Sequence, residues 1–366
     1  MKQWGATSLR PFFFLCVLKT GLLIEYSQII DAKGVAMIPN KKSSILLVLK
    51  VLEEYTDEEH YLTQPEIAQK IAQVYDVELE RKSVGSSLRL LEELDYDIVK
   101  GPKGGFALLS RTFDETEASY LIDAIFSSKS IDGRQAKKIA FQVASCFSKY
   151  QRKDYSYIYK SSEVTRTSNK DVLYNVSLIH EAMKEGKRVG FQYLSYDKKG
   201  NPVPRMDGYQ FIVSPYYLIN NFGRYYLLCN YREKYRPLQV FRVDYMMNVE
   251  IKSDWPIKRM EDLQGAPKDF SITKYMNDHL YMLGGETIEA TMELDSEASV
   301  LYVKDWFGEA AKIKEKDDKT IATIRCNENA LYYWVMQYAD DVKVISPASF
   351  VDEIKSGLKK ALEKYE

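Results

Sequence analysis

The sequence predicts an α+β protein built from several domains, and three observations carry that expectation. The chain has 366 residues; at ~100–200 residues per domain it divides into two or three, each able to bury a core. Its apolar spacing is helical up to about Lys187, alternates from Arg188 to Ile251, and mixes both periods beyond Thr287. A composition of 45% apolar and 28% charged residues excludes a disordered or collagen-like chain.

Residues 1–42 form an N-terminal extension. Pro11 to Ile24 is apolar, but Lys19 interrupts it and it falls short of the ~20 residues that span a bilayer. Lys2 and Arg10 precede it as in a signal peptide, yet no small-residue cleavage site stands before Glu25. The expectation is a start set too early, with the natural start at Met37, and a cytoplasmic protein with no membrane segment.

Residues 43–110 open with a helix whose apolar face is Ile45, Val48, Leu49, Leu52 and Tyr55. Thr63-Gln64-Pro65-Glu66 is a capping box with Pro in the first turn, and Ile67, Ile71 and Val74 give the second helix its stripe. A third helix, Arg81 to Leu94, turns Val84, Leu88, Leu91 and Leu94 inward. Ile98 to Leu108 holds two short apolar runs around a Gly/Pro turn, a hairpin signature. Three helices followed by a hairpin is the order of a winged helix-turn-helix.

Residues 111–170 return to helix, around Leu121, Ile122 and Ile125 and then Ile139, Val143 and Phe147. They read as a helical linker that can carry a dimer contact. Within 171–256 a helix to Lys187 precedes five short alternating strands, with turns at Lys199-Gly200-Asn201 and Asn220 to Gly223. Such a set suggests a small β-barrel that closes on itself and leaves no exposed edge. After a connector, 257–284, residues 285–366 give the order βαββαβ plus a closing helix, a ferredoxin-like pattern.

With 51 Lys and Arg against 52 Asp and Glu, the net charge of −1 excludes nucleic-acid binding by bulk charge, so a local patch is required. The four cysteines (Cys16, Cys146, Cys229, Cys326) lie far apart without a CxxC pair, the pattern of reduced thiols in cytosol. His60, His180 and His279 are isolated too, so no metal is expected. There is no phosphate loop, nucleophile elbow or HExxH helix. The Gly101-to-Gly105 cluster opens no helix, and Asp317-Asp318 and Asp340-Asp341 fall in turns, where solvated acids are common. No cofactor, no catalytic residue and no enzymatic activity are expected.

The third helix carries the sharper expectation. A recognition helix puts short polar and basic side chains at base edges while Lys and Arg hold phosphates. Arg81, Lys82, Ser83, Ser86, Ser87 and Arg89 supply that mixture opposite the apolar stripe, and Lys100 and Lys103 reach from the wing. Glu92, Glu93, Asp95 and Asp97 repel DNA, so only the first half of the helix fits a groove. Gly85 inside it costs ~1 kcal/mol relative to Ala and implies close approach of a neighbour or of DNA. In the barrel, Arg242 shares a strand face with Asp244 and stands among tyrosines, with Arg205 and Arg232 near in sequence. That is either a cationic aromatic pocket for anions or nucleotides, or an Arg242–Asp244 pair on an ordinary surface.

Tyr225-Tyr226-Leu227, preceded by Ser214-Pro215 and Leu218 and followed by Phe241-Arg242-Val243-Asp244, resembles the Trp-Tyr-Leu core of WYL domains, Sm-like (SH3-like) barrels of bacterial transcriptional regulators. Ser43–Leu108 looks like the winged helix-turn-helix that precedes such domains. Thr287–Glu366, with Val342-Lys-Val-Ile-Ser-Pro347, looks like their C-terminal extension. Two departures stand out: Tyr225 replaces the Trp, and Tyr245 stands where an Arg often follows the Asp. The resemblance implies a homodimeric regulator that binds a double-stranded DNA operator and senses an anionic or nucleotide-like effector, for which nucleic-acid fragments or cyclic nucleotides are proposed in the family. Matched by position, Arg242 and Tyr226 are its pocket residues, then Arg205. The alternative is an RNA- or single-stranded nucleic-acid-binding regulatory protein in which the barrel does the binding.

Overall fold

The computed structural model describes residues 43–152, 166–232 and 237–366; the expectations for 1–42, including Cys16, lie outside them. The chain is a mixed α/β protein with ten α-helices and three sheets among the described residues. They fall into two compact units, 43–112 with 146–152, and 113–145 with 166–366.

The first unit holds α1 (Ser44–Tyr55), α2 (Gln64–Tyr75), α3 (Arg81–Glu93) and an antiparallel ribbon of β1 (Ile98–Lys100) and β2 (Phe106–Leu108). Leu62 bridges to Phe106, which adds a single rung to the ribbon. At the start of α2 the Glu66 carboxylate accepts the Thr63 N–H and hydroxyl, both at 2.7 Å, and those bonds hold its pKa below the usual carboxylate value. The buried face of α1 is Leu47, Val48, Val51 and Leu52, rotated from the expected stripe so that Ile45 and Leu49 sit on its margin. It packs on Ile67, Ile71, Val84, Leu88, Leu91 and Leu108. Segment 146–152 returns to this unit: Ser148 donates to the buried Asp57 carboxylate at 2.5 Å, and Arg152 forks onto Glu54.

The second unit begins with α4 (Glu115–Ser127) and α5 (Gly133–Ala144), expected as a linker. They pack instead in the same unit as the six-stranded sheet. The reason lies in their connection. The Gly223 carbonyl accepts the Lys129 N–H and the Ser130 hydroxyl, each at 2.9 Å, and the Ser130 hydroxyl accepts the Tyr225 N–H at 2.9 Å.

Helix α6 (Val172–Glu185) ends at left-handed Gly186 and leads into β3 (Lys187–Tyr196). The strands β4 (Pro202–Pro204), β5 (Gln210–Asn221), β6 (Arg224–Asn230) and β7 (Gln239–Arg242) give the order β4-β3-β5-β6-β7, and β8 (Met246–Pro256) pairs with β3. The outer strands β7 and β8 follow each other in sequence through a single turn, Val243–Tyr245. The expected closure thus differs in one respect: no ladder joins β7 to β8 among the described residues. Val189, Phe191, Phe211, Val213, Leu227, Phe241 and Val243 fill the interior with α6. The other side of β6, Leu228 with Tyr226, packs against the connector through Met282, Phe270 and α7 (Ile272–Asp278).

The last part runs β9 (Thr287–Leu294), α8 (Glu297–Phe307), β10 (Lys312–Lys316), β11 (Lys319–Asn327), α9 (Glu328–Gln337), β12 (Val342–Ser346) and α10 (Ala348–Leu362). The antiparallel sheet has the order β10-β11-β9-β12. Its inner face, Ala290, Met292, Ala322 and Ile324, packs on Val303, Leu331, Trp334 and Phe350. Cys229 and Cys326 are free and buried, and burial pushes both thiols up, Cys326 to about 11.

Candidate nucleic-acid interface and effector pocket

On α3 the inward stripe is Val84, Ser87, Leu88 and Leu91. Arg81, Lys82, Ser86 and Arg89 are exposed and Ser83 is half-buried. Ser87 corrects the expectation: it is 4% exposed, its hydroxyl donates to the Ser83 carbonyl at 2.9 Å, and it lies 3.4 Å from the Ser44 hydroxyl. It stands three residues beyond Val84 and therefore on the buried side. Arg81, Lys82 and Arg89 make no ion pair among the described residues, so α3 presents unneutralised cations at its first turn and again at Arg89, past its midpoint.

Lys100 and Lys103 are exposed on the ribbon. The turn between them is tight because the Tyr61 ring lies across it: a Cβ on Gly101 would fall 2.2 Å from that ring. Lys103 adopts φ 56° and lies near enough to Glu66 to add slightly to its lowered pKa. Gly85 also has a neighbour: Gln64, the first residue of α2, places its amide nitrogen 3.2 Å from where a Cβ would stand. The Gln64 carbonyl oxygen accepts the Arg81 Nε–H at 3.3 Å. Sequence reasoning passed over Gln64; the glycine inside an exposed helix was the signal.

In the six-stranded sheet the structure brings Tyr226 and Arg242 together as cross-strand partners on β6 and β7. The Arg242 guanidinium donates Nε–H and Nη2–H to the Asp244 carboxylate at 3.0 and 2.6 Å, and Arg224 donates to the same carboxylate at 3.2 Å. Asp244 is 2% exposed. The Arg242 guanidinium also lies 4.0 Å from the Tyr245 ring centre, and its backbone N–H donates to the Tyr193 hydroxyl at 3.0 Å. Burial alone would lower the Arg242 pKa, but the hydrogen bonds and charge of Asp244 outweigh it and hold it above the usual value. Burial raises Tyr226 and pushes Tyr193 up to about 12, so both phenols stay protonated and can donate.

Two guanidiniums on one carboxylate leave a net positive charge bordered by aromatic rings, an arrangement that accepts an anion or phosphate beside a stacked ring. Arg205 is not part of it: it is exposed at the start of the turn Arg205–Gly208 and makes no contact with these groups among the described residues. Arg224 and Tyr193 are the members that sequence reasoning missed. Arg224 was signalled by alternation, being two residues from Tyr226 on one strand. Tyr193 was not signalled, since it reaches Arg242 across 49 residues.

Residues 174–251, from α6 into β8, match the WYL domain family, and residues 286–362, from β9 through α10, match the WCX domain family. The chain thus carries a WYL domain followed by a WCX domain. Among solved structures it is similar to proteasome accessory factor B/C (PafBC) of Arthrobacter aurescens, with 16% identity and a TM-score of 0.28 over 89% of this chain and 49% of that one. This chain therefore spans about half the length of that structure. It is also similar to a CRISPR Cas-related protein, with 14% identity and a TM-score of 0.36 over 88% of this chain and 84% of that one. No curated protein matches the sequence. Among the described residues no helix is long and apolar enough to cross a membrane.

Proposed function

We propose that the chain is a ligand-responsive bacterial transcriptional regulator that binds duplex DNA through α3 and the β1–β2 ribbon, in a winged helix-turn-helix arrangement. The observation that carries this reading is the basic outer face of α3, with Arg81, Lys82, Ser86 and Arg89 exposed and in no ion pair among the described residues, upstream of a WYL domain. The ribbon supports it by presenting Lys100 and Lys103 as phosphate ligands. The Arg224–Arg242–Asp244 group with Tyr193, Tyr226 and Tyr245 supports an anionic or nucleotide-like effector, and the Sm-like barrel and ferredoxin-like C-terminal part carry that sensor. The protein acts in the cytoplasm as a homodimer, by binding and without a catalytic step. Effector binding shifts the dimer between arrangements that match or mismatch the spacing of two operator half-sites.

Gel shifts with duplex and single-stranded probes of one sequence, across a salt series, test the reading. Tighter duplex binding whose logarithm falls linearly with the logarithm of salt is the expected result. Preference for the single strand would overturn it in favour of a barrel-centred RNA- or single-strand-binding protein.

A further inference from the structure

Gln64 lies on α2, outside the recognition helix, yet it touches two α3 residues with distinct consequences. Its carbonyl oxygen accepts the Arg81 Nε–H at 3.3 Å, and its amide nitrogen occupies space that any Cβ at position 85 would contest at 3.2 Å. A glycine in mid-helix is otherwise unfavourable, and here it leaves room for this side chain. A guanidinium held at Nε keeps its end-on edge, one N–H from each terminal nitrogen, as a two-pronged donor. Arg81 is exposed and makes no ion pair among the described residues, so nothing nearer occupies those prongs. Two acceptors on one edge match such a donor, and in the major groove guanine offers them as O6 and N7. The first residues of a recognition helix are those that reach base edges.

We propose that Gln64 is a positioning residue for Arg81, with Gly85 leaving the Gln64 amide uncrowded, and that Arg81 held in this way is a reader of one guanine in the operator. This rests on the duplex-DNA reading above. An Arg free to rotate would pair with any nearby phosphate and carry no sequence information; held by Gln64, it pays off only against the correct base.

The test uses the full chain and a duplex selected by it from random fragments. Each operator base pair is replaced in turn, and binding of wild type, Gln64→Ala, Arg81→Ala and the double variant is measured at fixed salt. The wild type is expected to lose ~10-fold or more on replacing one G·C pair. Gln64→Ala and Arg81→Ala are each expected to shrink that loss, at the same position, to less than ~3-fold, with the double variant no worse than Arg81→Ala. A purely structural role for Gln64 would weaken binding evenly at all positions. Even weakening, or a Gln64→Ala variant with every wild-type base preference, would overturn the proposal while leaving duplex binding in place. A wild type that selects no duplex would overturn the functional reading, and this inference with it.

Discussion

Asp244→Asn is the substitution on which the barrel cluster is most open to test. The carboxylate is 2% exposed and accepts three hydrogen bonds from two guanidiniums, at 3.0, 2.6 and 3.2 Å. Removing one member of a buried ion pair costs ~3–5 kcal/mol, because the partner is left uncompensated. Arg242 and Arg224 keep 25% and 27% of their side-chain surface, so both can rehydrate in part. The expected loss is therefore ~2–3 kcal/mol, a fall of roughly 4–12 °C in the melting midpoint of a unit this size. Tryptophan fluorescence follows the correct unit once Trp4 is replaced by Phe, since the other three of the four tryptophans, Trp255, Trp306 and Trp334, belong to the second one. The two freed cations should also bind anions better, so inorganic phosphate raises the midpoint of the variant more than that of the wild type. A midpoint within about 1 °C of wild type, with no added response to phosphate, refutes the claim that Asp244 organises this site.

Four further outcomes are expected. Lys82→Glu and Arg89→Glu each abolish operator binding in a gel shift while changing stability by less than ~0.5 kcal/mol, as exposed substitutions do; retained wild-type binding by both removes the DNA interface. Arg242→Ala leaves basal operator affinity near wild type and blunts the response to an anionic effector, and an unchanged response rejects the pocket. Tyr193 has a folded pKa raised from 10.0 to about 12, so the stability it contributes is complete below pH 10 and lost as pH rises toward 12. Tyr193→Phe should accordingly show a shallower alkaline loss in melts between those values, and an identical slope counts against a buried phenol. Gly223→Ala forces φ +69° on a residue with a Cβ that would stand 3.2 Å from the Lys129 nitrogen and the Ser128 Cα. A loss of ~1–3 kcal/mol in urea melts is expected, and a neutral effect shows that the turn is not docked.

Local chemistry was legible in the sequence where the determinant is short-range. The capping box at Thr63, the three helices with their ribbon, and the alternation of β3, β5 and β6 all depend on neighbours within one turn or one strand. Ser87 was legible too and misread: its three-residue spacing from Val84 assigns it to the core, and only its hydroxyl suggested otherwise. The place of α4 and α5 was not legible, because it depends on hydrogen bonds to Gly223 and Tyr225 from residues about ninety positions earlier. Arg205 was placed by the same kind of reasoning and stands apart in the structure. Nearness in sequence to the barrel strands suggested a shared pocket, but a turn with left-handed Met206 and Asp207 carries it outward.

The tip between β5 and β6 is gripped from three directions. Ser130 holds Gly223 and Tyr225, Trp306 meets the Phe222 ring at 5.6 Å, and the Leu280 carbonyl takes the Asn221 amide at 3.3 Å. Hairpin ends on a protein surface ordinarily accept extra residues with little penalty. Here a single inserted residue would break the Ser130 bonds to Gly223 and Tyr225 and shift Phe222 and Asn221 from Trp306 and Leu280 together. Length variation among kindred chains is accordingly expected at the exposed bend of Asp197 to Asn201, whose contacts are local, and not at this corner.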